Sequence, residues 1–461
     1  MNGVKDDKTR QKQLAAFISG LNLLQTLLLG LTTGKYAMTR FQLDCDKTSV
    51  GIFINMTHNA MELANIIGIT LIFIYIISYG KHMKTISIFT SWLLCAVNVA
   101  LLLIFISGGE EGYATLYYWT LVLSAFVYGL NQISFMKTYP DGVLFATAGV
   151  SLTSVMVFIF HSVFLVISNF LKISDLSCLL IPSQISIIII LSANSAILWT
   201  VTFYDETETH DRVNEEFDIK SSWSPILMCV LSLSILYVFY PAIAPYKITS
   251  LRVGYIIQLI SVVLDPSPSI IVCVLTIFDM GPNKRWEGVN ARWNFAWLVG
   301  PTYVMSAVLF LITLHYPGSA ISETIKSQPI VAGFLVLLFN ISRQTLKSVG
   351  AGGAGLQGKD NKSNGKVIGF TLLISLFTMV VLSFIGDGYL KTYSKYEHDL
   401  DNWPTKGLGM IDSFLFWLGS GIKAGFQSLR ESFTSDITRN FARSSNVVIR
   451  SITYNREGSC N

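Results

Sequence analysis

The 29 residues from Gly142 to Phe170 contain no Asp, Glu, Lys or Arg. A lipid hydrocarbon core about 30 Å thick is crossed by ~20 helical residues. Inside it the backbone must satisfy its own hydrogen bonds, which leaves the helix as the form such a run takes. Similar runs recur along the whole chain, and they exclude an ordinary soluble domain. Composition agrees: 13% of the 461 residues are charged and 51% are hydrophobic, against roughly 25% charged in soluble domains. The expected class is an all-α polytopic membrane protein whose first partner is the lipid bilayer.

Eleven spans are expected, at Leu14–Gly34, Gly51–Tyr79, Thr85–Ser107, Tyr113–Met136, Gly142–Phe170, Leu179–Thr202, Trp223–Pro241, Pro266–Gly281, Phe295–His315, Pro329–Ser342 and Val367–Ile385. Between the sixth and seventh, Phe203–Ser222 holds the acidic run DETETHDRVNEEFD, too polar to span. The chain therefore divides into a six-span half (1–202), an acidic loop (203–222), a five-span half (223–386) and a polar, amphipathic tail (387–461), a 6+5 pseudo-symmetric, transporter-like bundle. Val253–Leu264 is apolar but short, and is expected to lie at the interface as part of a connecting loop. Met410–Phe426 is apolar yet contains Asp412 and Lys423; that pattern suits an amphipathic interfacial helix better than a twelfth span.

Cytoplasmic loops carry an excess of Lys and Arg. The loops on the N-terminal side hold Lys5, Lys8, Arg10, Lys12, Lys81, Lys84, Lys137, Lys284, Arg285, Arg292, Arg343 and Lys347 among others. The opposite loops hold only Lys35, Arg40, Lys47, Lys172, Lys247, Arg252 and Lys326. The N-terminus and the acidic loop should be cytoplasmic and, with an odd number of spans, the C-terminus outside. The net charge of +4 marks no nucleic-acid partner. The six cysteines are scattered, without CxxC or metal-ligand spacing. No nucleophile or metal constellation appears, so neither an enzyme nor a cofactor is expected.

Gly350–Gly355 (GAGGAG) matches the glycine spacing of a nucleotide fingerprint, and Gly353–Lys359 that of a phosphate loop. Asp360 stands where such a loop needs Ser or Thr, and the segment joins two spans instead of following a strand. A flexible Gly-rich loop is the expected role.

Polar residues inside spans are the informative ones, because they face other helices or water and mark solute paths. His58, Glu62 and Asn65 stand at i, i+4 and i+7, on one helical face. Asn131 and Gln132 precede the turn Lys137–Gly142, followed by small residues Gly149, Ser151, Thr153 and Ser154. Asp279 ends the eighth run, near Lys284, Arg285 and Arg292. These six (His58, Glu62, Asn65, Asn131, Gln132, Asp279) form the candidate solute-binding set, with Glu62 and Gln132 facing one cavity between the halves. His161 and His315 are expected to pack.

Gly129, Gln132, Pro140, Ala146, Ala148 and Gly149 resemble the fourth- and fifth-span pattern of the equilibrative nucleoside transporters. Phe239-Tyr240-Pro241-Ala242-Ile243 is similar to that family's seventh-span signature, and Trp297–Pro301 to its ninth. Pro268, Phe278 and Asp279 partly echo the eighth. The family's first-span Pro-Trp-Asn is replaced by the run Gly20–Leu29, its eighth-span asparagine by Thr276 and arginine by Asn283, and its ninth-span arginine by Ala296. The chain also resembles the Tpr-related multicopy membrane proteins of piroplasm parasites. The resemblance implies a facilitative transporter of small polar solutes, such as nucleosides or nucleobases, working by alternating access. The alternative is a membrane surface or scaffold protein that keeps the fold without transport.

Overall fold

The computed structural model describes residues 2–43, 47–107, 111–172, 176–205, 219–241, 243–358, 363–397, 402–433 and 436–437. The centre of the acidic loop and the chain beyond Ile437 lie outside the described residues. Every described apolar run is helical, and no strand occurs among the described residues.

In the first half, α1 (Asn2–Leu23) and α2 (Gln25–Thr32) join at Leu24 into one span, followed by the short α3 (Gly34–Arg40). The spans α4 (Lys47–Ser78), α5 (Met83–Ser107), α6 (Glu111–Thr138), α7 (Val143–Leu171) and α8 (Leu176–Phe203) complete it. In the second half, α9 (Trp223–Ser234) and α10 (Leu236–Phe239) form a shorter apolar helical stretch. α11 (Leu251–Leu264) and α12 (Ser267–Ile277) form the next. A 3₁₀ stretch, Gly288–Leu298, leads into α13 (Val299–His315), and the short α14 (Ala320–Ser327) into α15 (Pro329–Ala354). Then come α16 (Gly365–Tyr396) and α17 (Met410–Ser432). Among the described residues ten helical stretches are long and apolar enough to cross a bilayer, and Trp223–Phe239 is a shorter apolar helix. The chain is a multi-pass membrane protein: six of these stretches precede the acidic loop, and the shorter helix and the other four follow it.

Local chemistry sets the corners. Tyr139 leaves the helical region (φ −133°, ψ 77°) ahead of Pro140, which disfavours helix in the residue before it, so α6 stops and α7 starts after a single 3₁₀ turn. Asn364 caps α16, its side-chain oxygen accepting from the amides of Lys366 and Val367 at 3.0 and 3.1 Å.

Small and polar residues place the helices. A methyl on Gly129 (α6) would overlap the Asn65 carbonyl of α4, and one on Gly149 (α7) the Phe17 carbonyl of α1. Such backbone contact is how helices associate in lipid, where hydrophobicity supplies no drive. Polar relays add to it: Asn98 donates to Ser192 at 2.7 Å, and Ser192 to Asn22 at 2.8 Å. One buried core lies mainly within the first half, a second mainly within the second. A third, with Ile66, Phe73, Ile133, Leu233, Leu376 and Met379, fills the seam where α4 and α6 meet α9 and α16.

Four expectations need correction. Val253–Leu264 is no interfacial loop piece: it is most of α11, the first part of a span running Arg252–Ile277 and broken at Asp265–Pro266. Gly350–Ala354 is the last turn of α15, not a loop. There Gly352 packs against Leu144 and Pro282, and Gly353 against the Trp286 ring, where a Cβ would not fit. The tenth span runs through Ser342 to Ala354, which brings Arg343 and Lys347 inside the bundle. The division at 386/387 falls within α16.

α17 does not cross the bundle. Near its start Trp417 packs on Tyr389, Tyr393 and His315, beside the C-terminal end of α13. At its end the Ser432 carbonyl accepts from Tyr118 Oη at 2.6 Å, and Phe433 stacks on Trp119, near the start of α6. Both places lie on the face opposite the N-terminus, so α17 runs along that face, with Phe414, Leu415 and Phe426 exposed.

Candidate functional site

Three spans of the first half present polar groups to the second. On α4, His58 Nε2 lies 3.9 Å from Glu62 Oε1, and Asn65 Nδ2 lies 3.5 Å from Glu62 Oε2. Glu62 and Asn65 are buried. The His58 ring meets Tyr237 of α10 edge-on at 4.9 Å, so this cluster touches the second half. Tyr128 of α6 and Tyr237 are the tyrosines within electrostatic reach of Glu62.

Asn131 and Gln132 are consecutive, so their side chains leave α6 about 100° apart. Asn131 points back into the first half and accepts from Ser91 Oγ of α5 at 3.3 Å. Gln132 lines a cavity between the halves. The space open to water inside it is about 80 Å³. Gln132, Thr147 and Val150 face it from the first half; Leu233, Lys347, Thr371 and Ser375 face it from the second. Met136, Val143, Ala354 and Ile368 line its end beneath the Pro140–Gly142 corner, toward the N-terminal side of the bundle. Glu62 does not line it. The expected pairing of Glu62 and Gln132 in one cavity is therefore replaced by two neighbouring sites along the seam.

Beside the cavity, Ser151 of α7 shares a hydrogen bond with Ser269 of α12 at 3.0 Å, and Ser269 one with Ser348 of α15 at 2.6 Å. Gln344 Nε2 donates to both Ser151 and Ser269. Asp265, at the break between α11 and α12, receives Arg343 Nη2 on its two carboxylate oxygens at 2.6 and 2.7 Å. The break frees a carboxylate for the bundle interior, and α15 brings the guanidinium to it.

On the opposite face of the bundle, Asn59 Nδ2 of α4 donates to Asp387 Oδ2 of α16 at 3.2 Å. Asn55, Asp387, Lys391 and Gln427 line a vestibule there, walled on one side by α17.

Asp279 stands apart from the site. It follows α12 in the left-handed region, φ 60°, which Asp tolerates better than most side chains. Its side chain is 87% exposed and pairs with Lys284 Nζ at 3.0 Å. The sequence placed it near a span end, and the helix stops two residues short of it. His161 and His315 pack as expected, bonded to Gln184 Oε1 and Tyr389 Oη, each at 2.8 Å.

Sequence reading missed Asp265, Arg343, Lys347 and Asp387. The signal was present: Pro329–Gly350 has no proline after its first residue, and Arg343, Gln344, Lys347 and Ser348 share one face. Ending the span at its first charge hid them. No group of three His, Cys, Asp or Glu that could hold a metal occurs among the described residues.

The fold and seam define a class, a two-part polytopic helical bundle with polar groups gathered where the parts meet. Solved structures share that overall fold at low sequence identity. The proton:xylose symporter XylE bound to 6-bromo-6-deoxy-D-glucose superposes with a TM-score of 0.57 at 12% identity, over 91% of this chain and 95% of that one. A bacterial homologue of the iron transporter ferroportin, in an outward-facing state with soaked iron, gives 0.53 at 10% identity, over 94% and 98%. No protein-family model and no curated protein matches the sequence.

Proposed function

We propose that this protein is a membrane transporter of small polar solutes that works by alternating access, its two halves rocking about the seam. The observation that carries the reading is the cavity of Gln132, Thr147, Lys347, Thr371 and Ser375, because both halves contribute polar groups to one otherwise apolar space. Solute pockets have that make-up: apolar walls with a few polar groups fixing orientation. Paired halves around a central site are the usual architecture of secondary transporters. The solved structures sharing the fold, a xylose symporter and an iron-transporter homologue, support the same reading.

Gln132 offers a solute both a donor and an acceptor on one amide, which suits the edge of a nucleobase. The nucleoside class follows from the motif resemblance, in which Gln132 reaches the cavity while Gly129 and Gly149 serve close packing. His58, Glu62 and Asn65 serve in this reading as a second polar station along the seam; Asn131 supports α6 from behind, and Asp279 has no part.

The test is uptake by the purified protein in liposomes of labelled nucleosides, nucleobases and sugars, for the native chain and Gln132→Leu. Uptake above empty liposomes, weakened in the variant at equal protein content, is the expected result. No uptake of any solute by well-folded protein would favour the scaffold alternative.

A further inference from the structure

Lys347 is the one charged side chain lining the seam cavity among the described residues. It stands well inside α15, and a charged group within a span is costly unless it is paired or wetted. One turn earlier on the same face, Arg343 is held by both oxygens of Asp265. Two cations thus share this face of α15 with one carboxylate, and that carboxylate is already engaged. The seam's other acids are engaged elsewhere: Glu62 keeps to His58 and Asn65 of its own helix, and Asp387 accepts from Asn59. No ion pair reaches Lys347 among the described residues, so an ammonium there has no counter-ion in direct contact.

We propose that the cavity takes a small organic monoanion, a carboxylate on a largely apolar body, with Lys347 as its counter-ion. This rests on the transport reading above and narrows its solute. An ammonium is a compact charge with three donors, matched to a carboxylate oxygen. Gln132 and Thr147, across the cavity, meet the polar edge of the body, and Val150, Leu233 and Leu372 enclose its apolar part. A dianion such as a phosphate ester fits less well: its second charge would be left buried without a partner, a strongly unfavourable arrangement. A neutral solute leaves Lys347 itself uncompensated.

The test uses matched probes differing only in charge: uracil-6-carboxylate against uracil, and benzoate against benzamide. Binding is measured by calorimetry on the purified full chain, and uptake in liposomes. A charge-assisted hydrogen bond is worth about 1.5–3 kcal/mol, so the carboxylate of each pair should bind roughly 10- to 100-fold more tightly. Lys347→Met should abolish that preference, bringing the two members of each pair to the same affinity; Lys347→Arg should keep it. A monodisperse Lys347→Met protein with an unaltered preference, or equal handling of both members by the native chain, would overturn the proposal. Carboxylate binding without uptake supports the site and refutes transport. Uptake of neutral members alone supports transport and refutes the anion. Neither binding nor uptake refutes both.

Discussion

Asp265→Asn removes a single charge while keeping the side-chain shape, and its cost can be worked from the pair it breaks. Arg343 Nη2 lies 2.6 and 2.7 Å from the two Asp265 oxygens, and the side chains are 8% and 20% exposed respectively. Arg343 Nε has no hydrogen-bond partner, so the guanidinium has no second acceptor at that nitrogen. Removing one member of a buried pair costs about 3–5 kcal/mol, because the other is left uncompensated. A lone Arg at the centre of a span costs about 2.5–3.5 kcal/mol on insertion scales. Both routes converge on ~3 kcal/mol, a large part of a total stability of roughly 5–15 kcal/mol. Asp265→Asn/Arg343→Met removes both charges and should recover to within about 1 kcal/mol of the native chain, since a buried pair and an apolar replacement are near equal. The assay is unfolding in mixed detergent micelles followed by tryptophan fluorescence, for both single variants and the double. A single variant as stable as the native protein would refute the burial of the pair. A double variant as unstable as the sum of the singles would show that the residues act independently of each other.

Other expectations follow from the same geometry. Asp279→Asn should change stability by under about 0.5 kcal/mol and leave uptake intact, because exposed pairs are worth little and Asn accepts the left-handed backbone; a large loss in either would return Asp279 to the functional set. Reporters placed in Glu206–Asp218 and after Asn461 should lie on opposite sides of the membrane, cytoplasmic and external respectively. Finding them on the same side would contradict the placement of α17 along the face opposite the N-terminus.

The polytopic helical class and ten of the eleven expected spans were legible because a bilayer imposes one length and one backbone form on every crossing; Trp223–Phe239 is shorter than that length. Gln132 was legible for a related reason: an amide in an apolar helix must face protein or water. Its neighbour Asn131 obeys the same rule and is satisfied by Ser91, and sequence cannot distinguish the two destinations. Arg343 and Lys347 were hidden because a charge reads as the end of a span, whereas Asp265 makes Arg343 tolerable from 78 residues away. Asp265 was hidden in turn, because Pro266 looked like a boundary and is a break within one span. Glu62 and Gln132 share a seam but not a cavity, since their separation depends on how α4 and α6 pack through Gly129. α17 was legible as amphipathic, but its position depends on Trp417 and Ser432 finding partners on α16 and α6.

Alternating access requires the two halves to part on the face opposite the N-terminus, where Asn59 and Asp387 touch across the seam at 3.2 Å. The most direct measurement replaces both by cysteine in a chain freed of its native cysteines, and bridges them with a short reducible cross-linker. Counterflow of a transported solute is then followed in liposomes before and after bridging. The account expects exchange by the unbridged protein, arrest once the bridge is complete, and recovery on reduction. Undiminished exchange through fully bridged protein would contradict it.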